Sequence, residues 1–320
     1  MSLVGHDNAW DEWRAALGSA RMHHAWILAG KRGIGKSGFA RAAALELVTE
    51  PGIAQPAVDA HPDIITLNHG PANEIEEKKR AEGKPYELRR NITIDQVRRM
   101  QQRLTTRPTL GSRRAIIIDP LDDLEKHAVN ALLKSLEEPP SGTFFLLVAH
   151  RPGRLLPTIR SRCRMLRFAP LADEQVSRIV ANEAPETDGA TRAAAVAAAE
   201  GSPGAALIFV GQDLGRLHEL MLKILHQGDP GFDLRGALAE AMGARPDRER
   251  ILAALELARA VLHQTIAGAA PDMQVRVIEA HAALVRLAGQ APTYNFDPGL
   301  LIMEIGGLLA SAALPREMTS

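Results

Sequence analysis

The stretch that decides the fold of this 320-residue chain lies at residues 30–37 and reads Gly30-Lys31-Arg32-Gly33-Ile34-Gly35-Lys36-Ser37. An apolar run at 25–29 precedes it, and helix-forming residues at 39–47 follow it. The stretch matches G-x-x-x-x-G-K-[ST], a phosphate-binding loop (P-loop), and a strand before it and a helix after it are the context that this pattern requires. In such a loop, backbone N–H groups and the helix N-terminus face the phosphates. The lysine reaches the β- and γ-phosphates, and the serine hydroxyl ligates Mg²⁺. We therefore expect residues 30–37 to hold ATP with Mg²⁺.

Strand and helix patterns alternate around this loop. Short runs rich in β-branched or aromatic residues predict strands at 25–29, 63–67, 115–118 and 144–149. Helical spacing of apolar residues predicts helices at 8–17, 38–48, 94–104 and 124–136. The alternation predicts an α/β P-loop domain over residues 1–168, with a parallel sheet covered by helices on both faces.

The second half of the chain carries only helical patterns. Apolar residues at helical spacing predict helices at 173–182, 191–200, 214–225, 234–241, 248–267, 273–288 and 298–312. Gly268 and Gly289 fall just past two of them, where glycine commonly ends a helix. We expect a small helical lid domain at 169–212 and an all-α domain at 213–320.

Composition limits the partners and the compartment. Lys plus Arg and Asp plus Glu both number 38, so the net charge indicates no nucleic-acid-binding tail. Cys163 is the one cysteine, which excludes an internal disulfide and a multi-cysteine metal site. No run approaches the roughly 20 apolar residues of a membrane helix, and the first residues lack the features of a signal peptide. We expect a cytoplasmic protein.

Two charged regions have no assigned role. Residues 70–90 are crowded with charge and poor in apolar residues, which favours a solvated, disordered surface insertion over a partner-binding loop. Arg98, Arg99, Arg103 and Arg107 recur at helical spacing and could form a basic stripe for DNA phosphates, although a solvated helix face fits equally well.

The apolar strand predicted at 115–118 leads directly into Asp119, the position that holds Mg²⁺ in P-loop proteins. The next residue is Pro120, where active ATPases of this class usually carry a glutamate as the base for water. Proline cannot accept a proton. Asp122 or Asp123 could substitute, but their places along the turn direct them elsewhere. The sequence therefore has the residue expected to bind Mg²⁺ but lacks the glutamate expected to activate water.

Two later segments carry a family resemblance. They read AVNALLKSLEEPP at 128–140 and LLPTIRSRC at 155–163. With the residues at 4–6 and 23–26, they resemble the clamp-loader AAA+ subunits of bacterial DNA polymerase III. The resemblance runs in patches through about residue 210, and the helices beyond are compatible with the collar domain of that family.

The resemblance implies a five-subunit ring held by collar domains, with ATP at the subunit interfaces. It implies gamma/tau and delta subunits as neighbours, and a sliding clamp and primer–template DNA as partners of the whole complex. The arginine of the Ser-Arg-Cys triplet projects into the neighbour's ATP site in that family, and Arg162 holds that position. A guanidinium suits this role because it stays charged and offers fork-shaped donors to phosphate oxygens.

Three departures from the family separate this chain from its motor subunits. Residues 201–207 lack the lid arginine, and the strand predicted at 144–149 ends in Ala149-His150 rather than in a small polar residue. The stretch 49–60 has none of the cysteines that bind zinc in many relatives, so we expect no zinc site.

Three functions are compatible with parts of this pattern. The first is a clamp-loader assembly subunit that binds ATP, hydrolyses it poorly or not at all, and supplies Arg162 to an adjacent ATPase. The second is an active motor ATPase of the same ring, which requires a base after Asp119 and an arginine near Gly204. The third is an unrelated P-loop kinase, which would leave the Ser-Arg-Cys triplet unexplained. The residues favour the first.

Overall fold

The structure is a computed structural model that describes residues 4–19, 21–266, 268–290 and 296–313. Its internal contacts divide the chain into two units, Met1–Leu171 and Ala172–Ser320, which are taken in turn. The finer division into three domains stays a prediction.

A five-stranded parallel sheet forms the centre of the first unit. Its strands are β1 (Ala25–Ala29), β2 (Ile64–Leu67), β3 (Arg114–Ile118), β4 (Thr143–Ala149) and β5 (Arg164–Arg167), in the order β2-β3-β4-β1-β5. Four of them confirm the predicted strands to within one residue at each end. The sequence did not predict β5, because the arginines at both of its ends mask the short apolar pair between them.

Helices cover both faces of this sheet. They are α1 (Asp7–Leu17), α2 (Lys36–Val48), α3 (Glu74–Ala81), α4 (Ile94–Leu104), α5 (Lys126–Glu137) and the single turn α6 (Pro157–Arg160). On one face, residues of α4 and α5 such as Val97 and Leu132 pack with Ile116 of β3. On the other face, Trp13 of α1 and Phe39 of α2 pack with the inward residues of the same strands. The predicted α/β P-loop domain, with a parallel sheet covered by helices on both faces, is confirmed.

The insertion at 70–90 is exposed at most of its positions, as expected, but it is ordered rather than disordered. Asn73 caps α3 by accepting hydrogen bonds from the N–H groups of the first turn. A bridge joins Pro71 to Leu88, and Glu76 turns inward to accept a 2.7 Å hydrogen bond from the Glu87 N–H. One buried carboxylate therefore organises a segment whose composition suggested only solvation.

The second unit is all-α. Its helices are α7 (Asp173–Glu183), α8 (Gly189–Ala199), α9 (Pro203–Gly211), α10 (Gly215–Gln227), α11 (Asp233–Met242), α12 (Arg248–Ile266), α13 (Pro271–Gln290) and α14 (Pro298–Ala312). The sequence did not predict α9, which begins where we expected a helix end, because proline at the first helical position and the Ser202 cap start a helix. Gly289 lies inside α13, so the expected helix end there is wrong. The last residue predicted for the helix at 248–267 is outside the described residues.

Among the described residues, none of the helices has the length and apolar character needed to cross a lipid bilayer.

Candidate functional site

The P-loop joins the carboxyl end of β1 to the first turn of α2. Gly33 and Gly35 have φ angles of 79° and 100°, a left-handed conformation that favours glycine. A Cβ atom on Gly30 would lie 2.6 Å from the Phe168 carbonyl oxygen and 2.7 Å from Ile34 Cδ1. The three glycines of the motif thus allow the loop to curve tightly and to approach Phe168, the residue that follows β5. This is the backbone shape that phosphate binding requires.

Lys36 is buried against its own loop, with 2% of the residue exposed. Its Nζ donates hydrogen bonds to the Gly30 carbonyl at 2.7 Å and to the Lys31 carbonyl at 2.5 Å. Burial lowers the pKa of Lys36 to about 8, although the carboxylates of Asp119 and Asp122 oppose this shift. The ammonium group is therefore desolvated and close to the acidic residues beyond β3.

The carboxyl ends of β1, β3 and β4 meet at one edge of the sheet, as parallel pairing requires. Asp119 follows β3 and donates its N–H to the Leu67 carbonyl at 2.9 Å. Ser37 lies in the first turn of α2, exposed at this edge. The structure thus places the proposed Mg²⁺ ligands Ser37 and Asp119 at the same edge as Lys36.

Both carboxylates that could replace the missing base are engaged with other groups. Asp122 accepts hydrogen bonds from the N–H groups of His150, at 2.5 Å, and Arg151, at 2.9 Å. Asp123 lies 3.2 Å from His69 Nε2 and 3.7 Å from an Arg151 nitrogen. Burial raises the pKa of Asp123, but His69 and Arg151 outweigh it and leave the pKa lowered. These contacts fix the turn after β3 and leave Pro120 at the position of the base.

His150 follows β4 at the same edge, and its side chain is neutral. Burial, reinforced by the charge of Lys36, lowers the pKa of His150 to about 4. Its Nδ1 is buried and has no hydrogen-bond partner within the described residues. This ring can exchange a hydrogen bond with a ligand but brings no positive charge near neutral pH.

Arg162 lies at the opposite end of the sheet from the P-loop. It precedes β5, whose residues Arg164–Arg167 pair in register with residues 26–29 of β1. Four paired residues, rising about 3.3 Å from one to the next, separate the start of β5 from the end of β1 by about 10 Å along the strand. The guanidinium of Arg162 is therefore remote from the phosphates that its own P-loop would bind.

The Arg162 side chain is held in place although it is partly exposed. Its Nη1 donates to the Thr158 carbonyl at 2.9 Å and to Ser161 Oγ at 3.3 Å. Its Nη2 forms an ion pair with Glu137 Oε1 at 2.8 Å. Sequence reasoning missed Glu137, because contacts between residues 25 positions apart leave no periodic signal.

The neighbouring Cys163 is an unreactive thiol. Burial raises its pKa to about 12 against the opposing charge of Arg162. A thiol with this pKa is protonated near neutral pH and is a poor nucleophile and metal ligand.

The remaining predicted features have structural contacts of their own. Ser202 caps α9 at the predicted lid turn, accepting from the Ala205 N–H. In the basic stripe, Arg98 pairs with Asp95 at 3.7 Å and Arg103 donates to the Pro62 carbonyl at 2.7 Å. His61, just after the stretch 49–60 where no zinc site is expected, contacts Gln55 Oε1 at 2.7 Å. Within the described parts of the chain, no three His, Cys, Asp or Glu side chains gather as a metal site would require.

The sequence is similar to known replication proteins. Residues 5–172 match the family model described as DNA polymerase III, delta subunit. DNA polymerase III subunit delta' of Pseudomonas aeruginosa is 35% identical over 47% of this chain and 44% of its own length. The Escherichia coli subunit delta' is 29% identical over 70% of this chain and 66% of its own length. Subunit tau of Salmonella typhimurium is 32% identical over 54% of this chain and 26% of its own length. The chain thus spans less than two thirds of the length of each of these relatives.

Proposed function

Because this chain belongs to the DNA polymerase III delta-subunit family, as a delta-prime-like member, we propose that it is a non-motor subunit of a bacterial clamp loader. In this role it helps to load the sliding clamp onto primer–template DNA during replication. Its neighbours in a five-membered ring are gamma/tau and delta subunits, and the complex works in the cytoplasm.

The proposed nucleotide site binds ATP–Mg²⁺ and hydrolyses it poorly or not at all. Lys36 supplies a desolvated positive charge, and Ser37 and Asp119 lie at the edge where the metal would be held. Pro120 cannot act as a base, and the contacts of Asp122 and Asp123 direct both carboxylates to backbone N–H groups, His69 and Arg151. The residues are therefore suited to binding a nucleotide rather than to activating water.

The alternative is an active motor subunit of the gamma/tau kind. The similarity to a tau subunit supports this alternative. A motor would need a base after Asp119 and an arginine in the lid turn at 201–207. The chain has Pro120 at the first place, and at the second a run that begins α9 without an arginine. Both differences favour the non-motor subunit.

One observation supports the proposal that Arg162 acts on the nucleotide of a neighbouring subunit. Arg162 lies at the amino end of the sheet while the P-loop lies at the carboxyl end, so its guanidinium faces away from the chain's own nucleotide site. A guanidinium fixed at an exposed edge of a P-loop domain can serve a phosphate on an adjacent subunit. Such arginine fingers stabilise the charge that develops during phosphoryl transfer.

The test is the reconstituted complex with Arg162→Ala. We expect the DNA- and clamp-stimulated ATP turnover to fall by at least about tenfold at the interface that Arg162 completes, since fingers in other enzymes contribute roughly 10³–10⁵. Arg160→Ala is the matched control, because Arg160 is exposed on the same turn and should leave turnover unchanged. The purified chain alone should bind ATP without hydrolysing it. Unchanged turnover in Arg162→Ala would refute the finger, and several turnovers per second by the isolated chain would refute the non-motor role.

A further inference from the structure

We propose that Glu137 is a positioning residue that holds the Arg162 guanidinium in the orientation it needs to act on a neighbouring subunit. This inference rests on the proposed function, because it concerns the same finger. It assigns a role to the last residue of α5, which pairs with Arg162 at the opposite end of the sheet from the P-loop.

The contacts show why a second anchor matters. Two of the three partners of Arg162, the Thr158 carbonyl and Ser161 Oγ, belong to its own turn and both engage Nη1. Of the residues that the structure describes, Glu137 is the one that reaches it from another element, and it engages the other terminal nitrogen at 2.8 Å. Contacts to both Nη atoms set the direction of the planar guanidinium, whereas contacts to one leave it free to rotate about that atom. The Nε–H is not used by these three contacts and stays available to an incoming phosphate.

The position of Glu137 on its helix argues against a role in helix stability. It is the last residue of α5, where the helix dipole is negative and a carboxylate is disfavoured. Lys134, the basic residue of this last turn, is not the partner of Glu137, whose charge is paired with Arg162 instead. Replacing Glu137 should therefore leave the fold intact while it frees the arginine.

Exposure sets the size of the effect. The Arg162 and Glu137 side chains are 35% and 48% exposed, so water screens the pair. Exposed ion pairs contribute at most about 1 kcal/mol, which corresponds to a change in rate of up to roughly fivefold. We expect Glu137→Ala to lower kcat of the reconstituted complex by that factor and to leave the KM for ATP unchanged, because the neighbour's own P-loop binds the ground-state nucleotide.

The test is a double-mutant cycle in the complete clamp-loader complex, with clamp and primer–template DNA. The variants are Glu137→Ala, Glu137→Gln, Arg162→Ala, the double substitution of both residues by alanine, and Glu138→Ala. Glu138 is the matched control, since it is the adjacent exposed carboxylate and forms no ion pair with any residue that the structure describes. Thermal unfolding of each purified variant is measured in parallel.

Positioning predicts that the double variant has the same kcat as Arg162→Ala, because Glu137 acts only through the arginine. Glu137→Gln, which keeps an acceptor oxygen, should lie between the wild type and Glu137→Ala, and Glu138→Ala should match the wild type. A further loss in the Arg162→Ala background, a kcat that rises in Glu137→Ala, or a fall in Tm well beyond the few degrees that loss of an exposed ion pair causes would overturn this inference. If Arg162→Ala itself leaves turnover unchanged, the finger fails and with it the premise; if only Glu137→Ala is silent, the positioning role alone fails.

Discussion

Lys36 shows at the scale of one residue how this P-loop is prepared for a phosphate. Its ammonium is out of water and donates to two carbonyls of its own loop. Burying a charge is unfavourable unless it is paired, so the pKa of Lys36 falls to about 8. A phosphate chain would supply the negative charge that these carbonyls provide only in part, and binding it would restore the charged form.

The resulting prediction is that ATP affinity weakens as the pH rises. Above about pH 8 the free protein loses the Lys36 proton, which nucleotide binding must restore, so affinity should fall by up to about tenfold per unit toward pH 9.5. Isothermal titration calorimetry in two buffers of different ionisation enthalpy should detect uptake of a proton at about pH 9. Lys31→Ala should keep this pH dependence. Constant affinity across the range, with no proton uptake, would contradict the assignment.

Residues close together in sequence were the ones that the sequence could predict. The P-loop, Asp119 and Pro120 are read from fixed spacings, and the structure places them at one edge of the sheet. The engagement of Asp122 by the His150 and Arg151 N–H groups joins elements 28 residues apart, and the Glu137–Arg162 pair joins elements 25 apart. No periodicity encodes such pairs, because they depend on which strands are neighbours.

At the scale of elements, the insertion at 70–90 depends on one side chain. The Glu76 side chain is 9% exposed. Its carboxylate accepts hydrogen bonds from the Lys79 ammonium at 2.8 Å and from the Glu87 N–H at 2.7 Å. The bond from Lys79, followed by that from the Glu87 N–H, lowers the pKa of Glu76. Its contribution is therefore present above about pH 4.5 and is lost as the pH falls through the lowered pKa of the folded state.

We predict that Glu76→Gln loosens the insertion without unfolding the sheet. The neutral amide loses the ion pair and weakens the bond to Glu87, so the Glu87 amide proton should exchange with solvent at least about tenfold faster. Amide protons in β1, β3 and β4 should be unaffected. Glu77→Gln is the control, because Glu77 is exposed and its ion pair with Arg80 is long at 3.7 Å and therefore weak. Equal protection of the Glu87 amide in both variants would show that Glu76 does not hold the segment.

The sequence did not predict α3 and β5, and the physical reason is similar for both. The helix α3 and the strand β5 are both rich in charge, and in both an ion pair or a hydrogen bond of a charged side chain helps to hold the element in place. Arg164 of β5 pairs with Glu12 at 2.8 Å and lies over the Trp26 ring at 4.9 Å. Hydrophobic patterning detects an apolar stripe, which α3 lacks, whereas β5 buries the single side chain of Leu166 between charged neighbours.

At the scale of the whole molecule, each of the two units has a hydrophobic core of its own. The first buries the residues on both sides of its sheet. The second buries leucines, isoleucines and alanines between helices α10, α12, α13 and α14, including Leu217, Leu255, Leu284 and Ile305. Separate cores are the physical basis of separate folding domains.

We therefore predict two thermal unfolding transitions. ATP–Mg²⁺ should raise the midpoint temperature of only one of them. A ligand stabilises the unit that binds it by RT ln(1 + [L]/Kd), about 2.7 kcal/mol at a concentration 100 times Kd. Differential scanning calorimetry with and without nucleotide should show the shift in the transition of the P-loop unit, and Lys36→Ala should abolish it. A single transition, or an equal shift of both, would show that the units unfold together.

The protonated Cys163 makes this chain a ready-made background for site-specific labelling. It is the one cysteine in the sequence, and its raised pKa leaves little thiolate, so its reaction with maleimides near neutral pH is slow. A cysteine introduced at an exposed position would carry a fluorophore or spin label without prior removal of a native thiol. Such a label would report on changes at its own position, with the native residue beside Arg162 left unchanged.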